Sequence, residues 1–366
     1  MGSVALVKTD VGIENALSEA LRLIGGLENF LSHNDCVMLK PNLNDAESFT
    51  NAVITETLIR KILDFGVRKL FIGEATFGGA QMTDMYFRKT GYLEMAQKYG
   101  VDIHNLNKSD AVKIPVKNPL LLENAAVARE ALDADKIINL PNMKVHYATQ
   151  ISLALKNMKG VLVGDEKRRF HETGLEKAIA DLNNAIPADL NIVDAVTCME
   201  RMGPRGGDLL NMNLIMAGKN AWEIDAAGAQ VMGFPPSEIK HLKYYMENNG
   251  LDLSELKILG NKIEHVARPF KRVDLAGLAP ENFSIHNRDA CSACMNAFLL
   301  SCRVLEKLPE EQAEIFMGSS LPEEKNSENL KIAFGNCCQA ELECDIRIKG
   351  CPPFPFALGE KMKIET

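Results

Sequence analysis

The chain lacks any long apolar run. None of its 366 residues lies in a stretch approaching the roughly 20 uninterrupted apolar residues of a membrane span, so no membrane partner is expected. It also lacks a basic excess: 41 Lys and Arg stand against 49 Asp and Glu, a formal net charge of −8. A nucleic-acid surface needs the opposite balance, so no nucleic-acid partner is expected either. The start, "MGSVALVKTDVG", has no apolar signal-peptide core, because Lys8 and Asp10 close its short apolar run. The position where N-myristoylation requires Ser or Thr carries neither. The expectation is a cytoplasmic protein, in which clustered cysteines more often bind metal than form disulfides. Cysteine is itself scarce over most of the chain: of nine, seven fall between Cys291 and Cys351. Cys36 and Cys198 sit alone in apolar surroundings and read as core residues.

What is present is enough apolar residue (46%) for a sizeable core and enough length for two domains. "SVALVK", "DCVMLK", "RKLFIGEA", "VDIHNL", "KIINLP", "LNIVDAV" and "NLIMAG" read as strands. Between them "GIENALSEALRLIGGLENFL", "TETLIRKILDFG", "YLEMAQKYG", "ATQISLALKNM", "GLEKAIADLNNAI" and "AWEIDAAGAQVMG" have helical spacing. Thr55 is the expected cap of the second helix and Gly66 its stop. Apolar strands between amphipathic helices predict an α/β fold, a mostly parallel sheet with flanking helices. The cysteine skew and the connector "LAGLAPENFSIHNRDA" divide the chain into an α/β domain, 1–280, and a smaller Cys-rich region, 281–366.

Function in such sheets gathers in the loops after the strand C-ends. Those loops carry Lys40, Asn42 and Asn44, then Glu74 and Thr76, then Asn142, Lys144, His146 and Thr149, then Asp194, Glu200 and Arg205. The stretch "KVHYATQISLALKNMKGVLVGDEKRRFH", 144–171, is the most suggestive. Lys144 and His146 precede an expected helix and Thr149 lies near its start, and a helix N-terminus is a natural anion site. Lys156 and Asn157 close that helix; Arg168 and His171 follow. Lys144, His146, Lys156 and His171 are therefore the candidate acid–base residues, and Lys40, Asn42, Asn157 and Arg168 the candidate substrate contacts. Lys159, Lys167 and Arg169 read as a basic surface turn. No phosphate-loop fingerprint is present, since "GGAQMTD" lacks the Gly–Lys–Ser/Thr ending.

"VMLKPNL", "KVHYATQISLALKNMKGVL", "RRFH", "IVDAVTCMERMGP", "AWEIDAAGAQVMGF" and "KGCPPFP", in that order, resemble the family called domain of unknown function 362. The resemblance implies an α/β protein, often with iron–sulfur clusters, and a distant fold relation to nickel-dependent lactate racemase. Many relatives carry a ferredoxin-like insert with two Cys-x-x-Cys-x-x-Cys sets, which is absent here. The family's "MEGNGP"-like stretch appears as "MERMGP", with Arg201 in place of a glycine.

Cys291 and Cys294 have the two-residue spacing that lets two thiolates meet one metal centre. They open a helical stretch, where the dipole favours thiolate. Cys302 reads as core. Adjacent cysteines do not easily take two corners of one cluster, so one of Cys337 and Cys338 is expected to ligate; the resemblance's Gly-x-Cys pattern favours Cys337. Cys344 shares a strand face with Ile346 and Ile348 and reads as packing. In "GCPP" the prolines stiffen a loop presenting Cys351. The expected site is one 4Fe–4S cluster on Cys291, Cys294, Cys337 and Cys351, with zinc as the rival for the same thiolates. The acidic segment between Cys302 and Cys337 reads as a short helix and a solvated loop.

The expectation is an iron–sulfur protein, an oxidoreductase or electron-transfer enzyme, that acts on a small anionic molecule and exchanges electrons with a ferredoxin or flavoprotein. Two alternatives stand beside it. One is a redox partner protein without its own substrate. The other is a cofactor-assisted acid–base isomerase or racemase with a structural cluster or zinc. Self-association into a homo-oligomer is left open.

Overall fold

The structure is a computed structural model that describes residues 2–43, 47–274, 280–305, 312–319, 328–338 and 342–362. Asn44 and parts of the segment between Cys302 and Cys337 lie outside the described residues. The chain divides into two compact units. The first comprises Met1–His146, Gln150–Lys167 and Glu176–Arg272; the second takes Tyr147–Thr149, Arg168–Leu175 and Val273–Thr366. The composition boundary near 280 therefore lies close to the end of the first unit. Composition gave no sign of the two short pieces, 147–149 and 168–175, that belong to the second.

Twelve strands of the first unit lie among the described residues: β1 (Ser3–Lys8), β2 (Cys36–Lys40), β3 (Lys69–Glu74), β4 (Asp102–Asn105), β5 (Ala111–Pro115), β6 (Asn124–Ala128), β7 (Lys136–Asn139), β8 (Asn142–His146), β9 (Gln150–Ser152), β10 (Leu190–Glu200), β11 (Asp208–Gly218) and β12 (Lys257–Gly260). The main sheet runs β12-β1-β11-β10-β7-β2-β3-β4, with β8 and β9 branching from β10 and β5 pairing β6 separately. The fold is thus α/β with a mostly parallel sheet; β11 alone on that path is antiparallel to both neighbours. Every residue of β2 is buried, as expected for a strand covered on both faces. One face carries Ala5, Val37, Leu39, Ile72, Ile138 and Ile215, against Leu17, Leu21, Leu58 and Ile62 of two helices.

The helix Ala52–Phe65 is capped by Asn51, whose side chain accepts from the Val53 N–H. Thr55, the expected cap, is instead an interior residue: its hydroxyl meets the Tyr92 hydroxyl at 2.7 Å in the core. Gly66 ends the helix in the left-handed conformation.

The expected helix over 148–158 is mostly something else. β8 and β9 form an antiparallel hairpin that pairs Lys144 with Ser152 and His146 with Gln150. The α-helix is confined to Ala154–Asn157 and continues as a 3-10 helix over Met158–Val161. Pro141 offers no N–H and separates β7 from β8, while its carbonyl accepts from Asp194 N. The few helical residues are then held from a distance. Asp225, on the helix Ala221–Val231, accepts from the Ala154 N–H at 2.7 Å and also from Leu155. Asp225 lies 3.6 Å from His241 Nε2, and His241 Nδ1 lies 2.9 Å from Glu176.

In the second unit, β13 (Phe283–His286), β14 (Ala313–Phe316), β15 (Leu330–Phe334) and β16 (Ile346–Ile348) form a parallel sheet in chain order. The helix Ser292–Val304 follows β13. Phe298 packs its ring against Phe283 and Phe334. β14 lies within the segment read as helix and solvated loop. Its four residues, Ala-Glu-Ile-Phe, bury three side chains, too short a pattern to stand out beside the surrounding acidic residues.

Burial opposes charge on His241, but Asp225 and Glu176 outweigh it and raise the imidazole to about 9. A raised histidine adds stability that is complete below its unfolded value, near 6.5, and is lost as pH rises through 9. The stability difference between wild type and His241→Gln should therefore be greatest below about pH 6.5 and shrink toward about pH 9. Urea unfolding across that range measures it, and a pH-independent difference would contradict the charged triad.

Candidate functional site

Each unit carries its own cluster of chemistry-bearing side chains. In the first, the carboxyl ends of β2, β3 and β7 deliver Lys40, Glu74 and Asn139 into the interior. Lys40 Nζ and Glu74 Oε2 are 2.7 Å apart, with exposures of 0% and 1%. Burial lowers the Lys40 pKa and raises that of Glu74, and each is countered by the other's charge. Gly160 closes over the pair: a Cβ there would overlap Glu74 Oε1 and Lys40 Nζ.

A ladder of amides surrounds the pair. Asn42 Nδ2 donates to Asn157 Oδ1 at 2.8 Å, Asn157 Nδ2 to Asn139 Oδ1 at 2.7 Å, and Asn139 Nδ2 to Asn191 Oδ1 at 2.8 Å. Lys144 Nζ donates to Asn42 Oδ1 and to the Ser48 carbonyl. Ser48 reaches Asn142, and Asn142 reaches Asp194, whose pKa burial raises to about 6. Satisfied in this way, such polar groups tolerate burial. Lys40, Asn42, Lys144 and Asn157 thus come together, with much of their hydrogen-bonding capacity used on one another. They form the floor of the site.

The more accessible amines lie beside them. Lys156 and Lys159 are half-buried. Burial, then the Lys144 charge, lower the Lys156 pKa to about 7. Burial, Lys156 and Lys167 push Lys159 well down. Lys167 is buried, donates to the Leu162 carbonyl at 2.8 Å, and is lowered to about 8 chiefly by burial. Lys159 and Lys167, read above as a basic surface turn, therefore belong to this cluster. The signal was available in "KNMKG": Lys156 and Lys159, three apart, share one face of a helical turn. His146 is buried on β8, two residues beyond Lys144. The anion site expected at a helix N-terminus near Thr149 is not there. Thr149 lies in the turn after β8, and the N–H groups of the short helix at Ala154 are taken by Asp225.

Arg168 and His171 fall in the second unit. Arg168 is exposed and pairs with Glu172 at 2.9 Å. His171 is buried, and its carbonyl accepts from the Cys351 N–H. The four selected cysteines follow the carboxyl ends of β13, β15 and β16 in the chain. Cys291 is the N-cap of the helix Ser292–Val304 and Cys294 lies in its first turn. The Cys294 thiol pKa is pushed up, first by its hydrogen bond with Cys291, then by burial, then by the sulfurs of Cys291, Cys351 and Cys337. The shift is opposite to the lowering expected from the helix dipole, and the sulfurs of Cys291, Cys337 and Cys351 lie within electrostatic reach of Cys294.

The loops bearing them are tied together. Asn336 N donates to the Gly350 carbonyl at 2.9 Å, and Gly350 N donates to Asn336 Oδ1 at 2.7 Å. Asn336 Nδ2 donates to the Glu172 carbonyl. Asn336 was not singled out by sequence, where it reads as an ordinary turn residue. Gly335 has φ +105, and a Cβ on it would stand 3.2 Å from Cys294 Sγ, so the backbone approaches the thiols as only glycine permits. Cys337 is exposed, whereas Cys338 is buried with its thiol on the Phe316 carbonyl at 3.1 Å. Cys302, Cys36 and Cys198 are buried, and Cys344 packs against the small core around Phe316. None of the nine cysteines is in a disulfide. Among the described residues, no three Cys, His, Asp or Glu side chains stand together as ligands of a single metal ion. The donor set, four thiols beside a glycine cradle, fits a thiophilic centre in kind.

Residues 37–230 match the family described as domain of unknown function 362, DUF362. The chain belongs to this family. It is also 28% identical, over 254 residues, to a thylakoid-associated protein of Synechocystis sp., covering 65% of this chain and 76% of that protein. Among solved structures, a protein from Thermotoga maritima aligns at 15% identity and TM-score 0.41, covering 84% of this chain and 72% of that one. The lactate racemase apoprotein of Thermoanaerobacterium thermosaccharolyticum aligns at 11% and 0.40, covering 86% and 69%. The DUF362 match contains every lysine of the first cluster and ends before the first selected cysteine. Within the motif "MERMGP", Arg201 takes a left-handed backbone, φ +65, so the position keeps a conformation that suits glycine. Among the described residues no helix is long and apolar enough to cross a membrane.

Lys40→Met should destabilise the protein by about 3–5 kcal/mol, because it strands a buried carboxylate. Adding Glu74→Leu should recover most of the loss. Denaturant unfolding of the two variants checks this, and a double variant no better than the single would contradict the pairing.

Proposed function

We propose that this DUF362 protein is an iron–sulfur redox enzyme. Cys291, Cys294, Cys337 and Cys351 hold one cluster, and the lysines of the first unit receive a small anionic substrate. The observation that carries this reading is that Cys291, Cys337 and Cys351, on loops following the ends of a parallel sheet, all act on the Cys294 thiol. Thiolates brought close to the buried Cys294 would repel it, and a cationic centre relieves that cost. The cluster would supply one-electron chemistry, exchanged with a ferredoxin or flavoprotein. The chain's own residues do the rest. Asn336 and the His171 carbonyl fix the Cys337 and Cys351 loops. Lys156 and Lys159 offer half-buried N–H donors to the anion, and Lys144, oriented by Asn42 and Ser48, adds its charge from behind. We place the protein in the cytoplasm on its composition.

One observation favours a second reading, acid–base chemistry around a structural centre: Lys156, near 7, is suited to moving a proton at neutral pH.

Protein purified without oxygen should be brown, contain iron and acid-labile sulfide, and bleach with dithionite. Cys337→Ser should lose the iron. Cys338→Ala should keep it and lose roughly 1–2 kcal/mol of stability, as expected for a small buried side chain. A colourless protein with stoichiometric zinc would overturn the cluster reading.

A further inference from the structure

Cys291, the N-cap of the helix Ser292–Val304, has an extended backbone, φ −77 and ψ 156. Its carbonyl accepts from the Cys294 N–H at 3.1 Å and from the Met295 N–H at 3.3 Å. Cys294 is the third residue of that helix. An N-cap and the third helical residue are the pair whose side chains reach back toward each other across the first turn. The two thiols use this geometry: Cys294 is hydrogen-bonded with Cys291, whereas Cys337 and Cys351 act on it through their charge. Cys302, eight residues farther on, lies about 12 Å along the helix axis. The paired thiols are unequally open. Cys294 is 4% exposed and Cys291 is half-buried. The Gly335 backbone covers Cys294, so closely that a Cβ there would stand 3.2 Å from its Sγ. An open thiol in contact with a covered one is the arrangement of an attacking and a resolving cysteine.

We infer that Cys291 and Cys294 close a reversible disulfide when the chain meets a low-molecular-weight disulfide, and that the closed form does not take up the metal centre. The withholding of the centre rests on the cluster reading; the disulfide itself does not. The Cys291 sulfur attacks one sulfur of the oxidant R–S–S–R. A mixed disulfide forms on Cys291, and the first R–SH leaves with the proton that Cys291 gave up. The Cys294 sulfur then attacks the Cys291 sulfur. The mixed S–S bond breaks, the Cys291–Cys294 bond forms, and a second R–SH leaves with the Cys294 proton. Two electrons pass from the two cysteines to the oxidant, which is reduced to two R–SH. A single helical turn suits this closure, since a disulfide joins Cα atoms about 4.4–6.8 Å apart. Metal is bound by thiolate, so closure removes two of the four ligands.

The test uses the full chain, purified without oxygen and stripped of metal with a chelator. It is incubated with oxidised glutathione, free thiols are blocked with iodoacetamide, and linkages are mapped by peptide mass spectrometry. Cys291–Cys294 should be the main linkage and should reopen with reduced glutathione. In the reduced chain iodoacetamide should modify Cys291 about tenfold or more faster than Cys294. Cys294→Ser should stop at a glutathione adduct on Cys291. Given ferrous iron and sulfide, the reduced chain should take up iron, and the oxidised chain about tenfold less or lower. The Cys291–Cys294 linkage together with lost iron uptake supports the inference. A main linkage through Cys302, Cys337 or Cys351, with Cys291 and Cys294 left as thiols, overturns it, as does the absence of any linkage. Equal iron uptake by the oxidised and reduced chains overturns the withholding. A chain that forms the linkage but takes up no iron when reduced overturns the cluster reading and leaves the disulfide standing.

Discussion

An ammonium and a carboxylate buried 2.7 Å apart at the ends of β2 and β3 impose the main constraint on this molecule. Two charges removed from water are tolerated only when they meet closely and their surroundings are polar and satisfied. Much of the interior of the first unit can be read as a response. Gly160 has no side chain because the pair occupies the space a Cβ would need. The amides of Asn42, Asn157, Asn139 and Asn191 face one another in sequence, each donating to the next. The turn carrying Lys156 is fixed between this ladder and Asp225. Lysines that would be solvated elsewhere are held partly out of water, and their amines lose protons more readily.

The second unit solves a related problem by different means. The Cys294 thiol hydrogen-bonds with Cys291, and the chain gains rigidity from backbone contacts around the cysteine loops. Asn336 reads both polar groups of Gly350, and the carbonyls of His171 and Glu172 receive donors from the same two loops. A short helical segment far away in sequence thereby becomes part of the cysteine scaffold. The two units divide the chemistry: amines and amides at the ends of a large sheet, thiols on loops following the strands of a small one.

The family match extends over the lysine cluster and ends before the four cysteines Cys291, Cys294, Cys337 and Cys351. Within the same matched span Arg201 holds a left-handed backbone, φ +65, a conformation that favours glycine.

The amino-acid sequence by itself determined the alternation of apolar strands and amphipathic helices, and so the α/β class. It also determined which cysteines are isolated in apolar surroundings and which have ligand spacing, because both are local properties. It pointed to the strand ends as the place for Lys40, Asn42 and Lys144, and to the end of an expected helix as the place for Asn157. Only the tertiary structure decided that these residues face one another, that Lys159 and Lys167 join them, and that the first half of 148–158 is hairpin rather than helix. Apolar periodicity is blind to such outcomes. Pro141 interrupts a strand whose continuation is set by pairing with β10, and the helical turn survives because Asp225, some seventy residues on, accepts its N–H groups. The position of a charge in sequence does not reveal its burial; that depends on which distant side chains arrive to meet it.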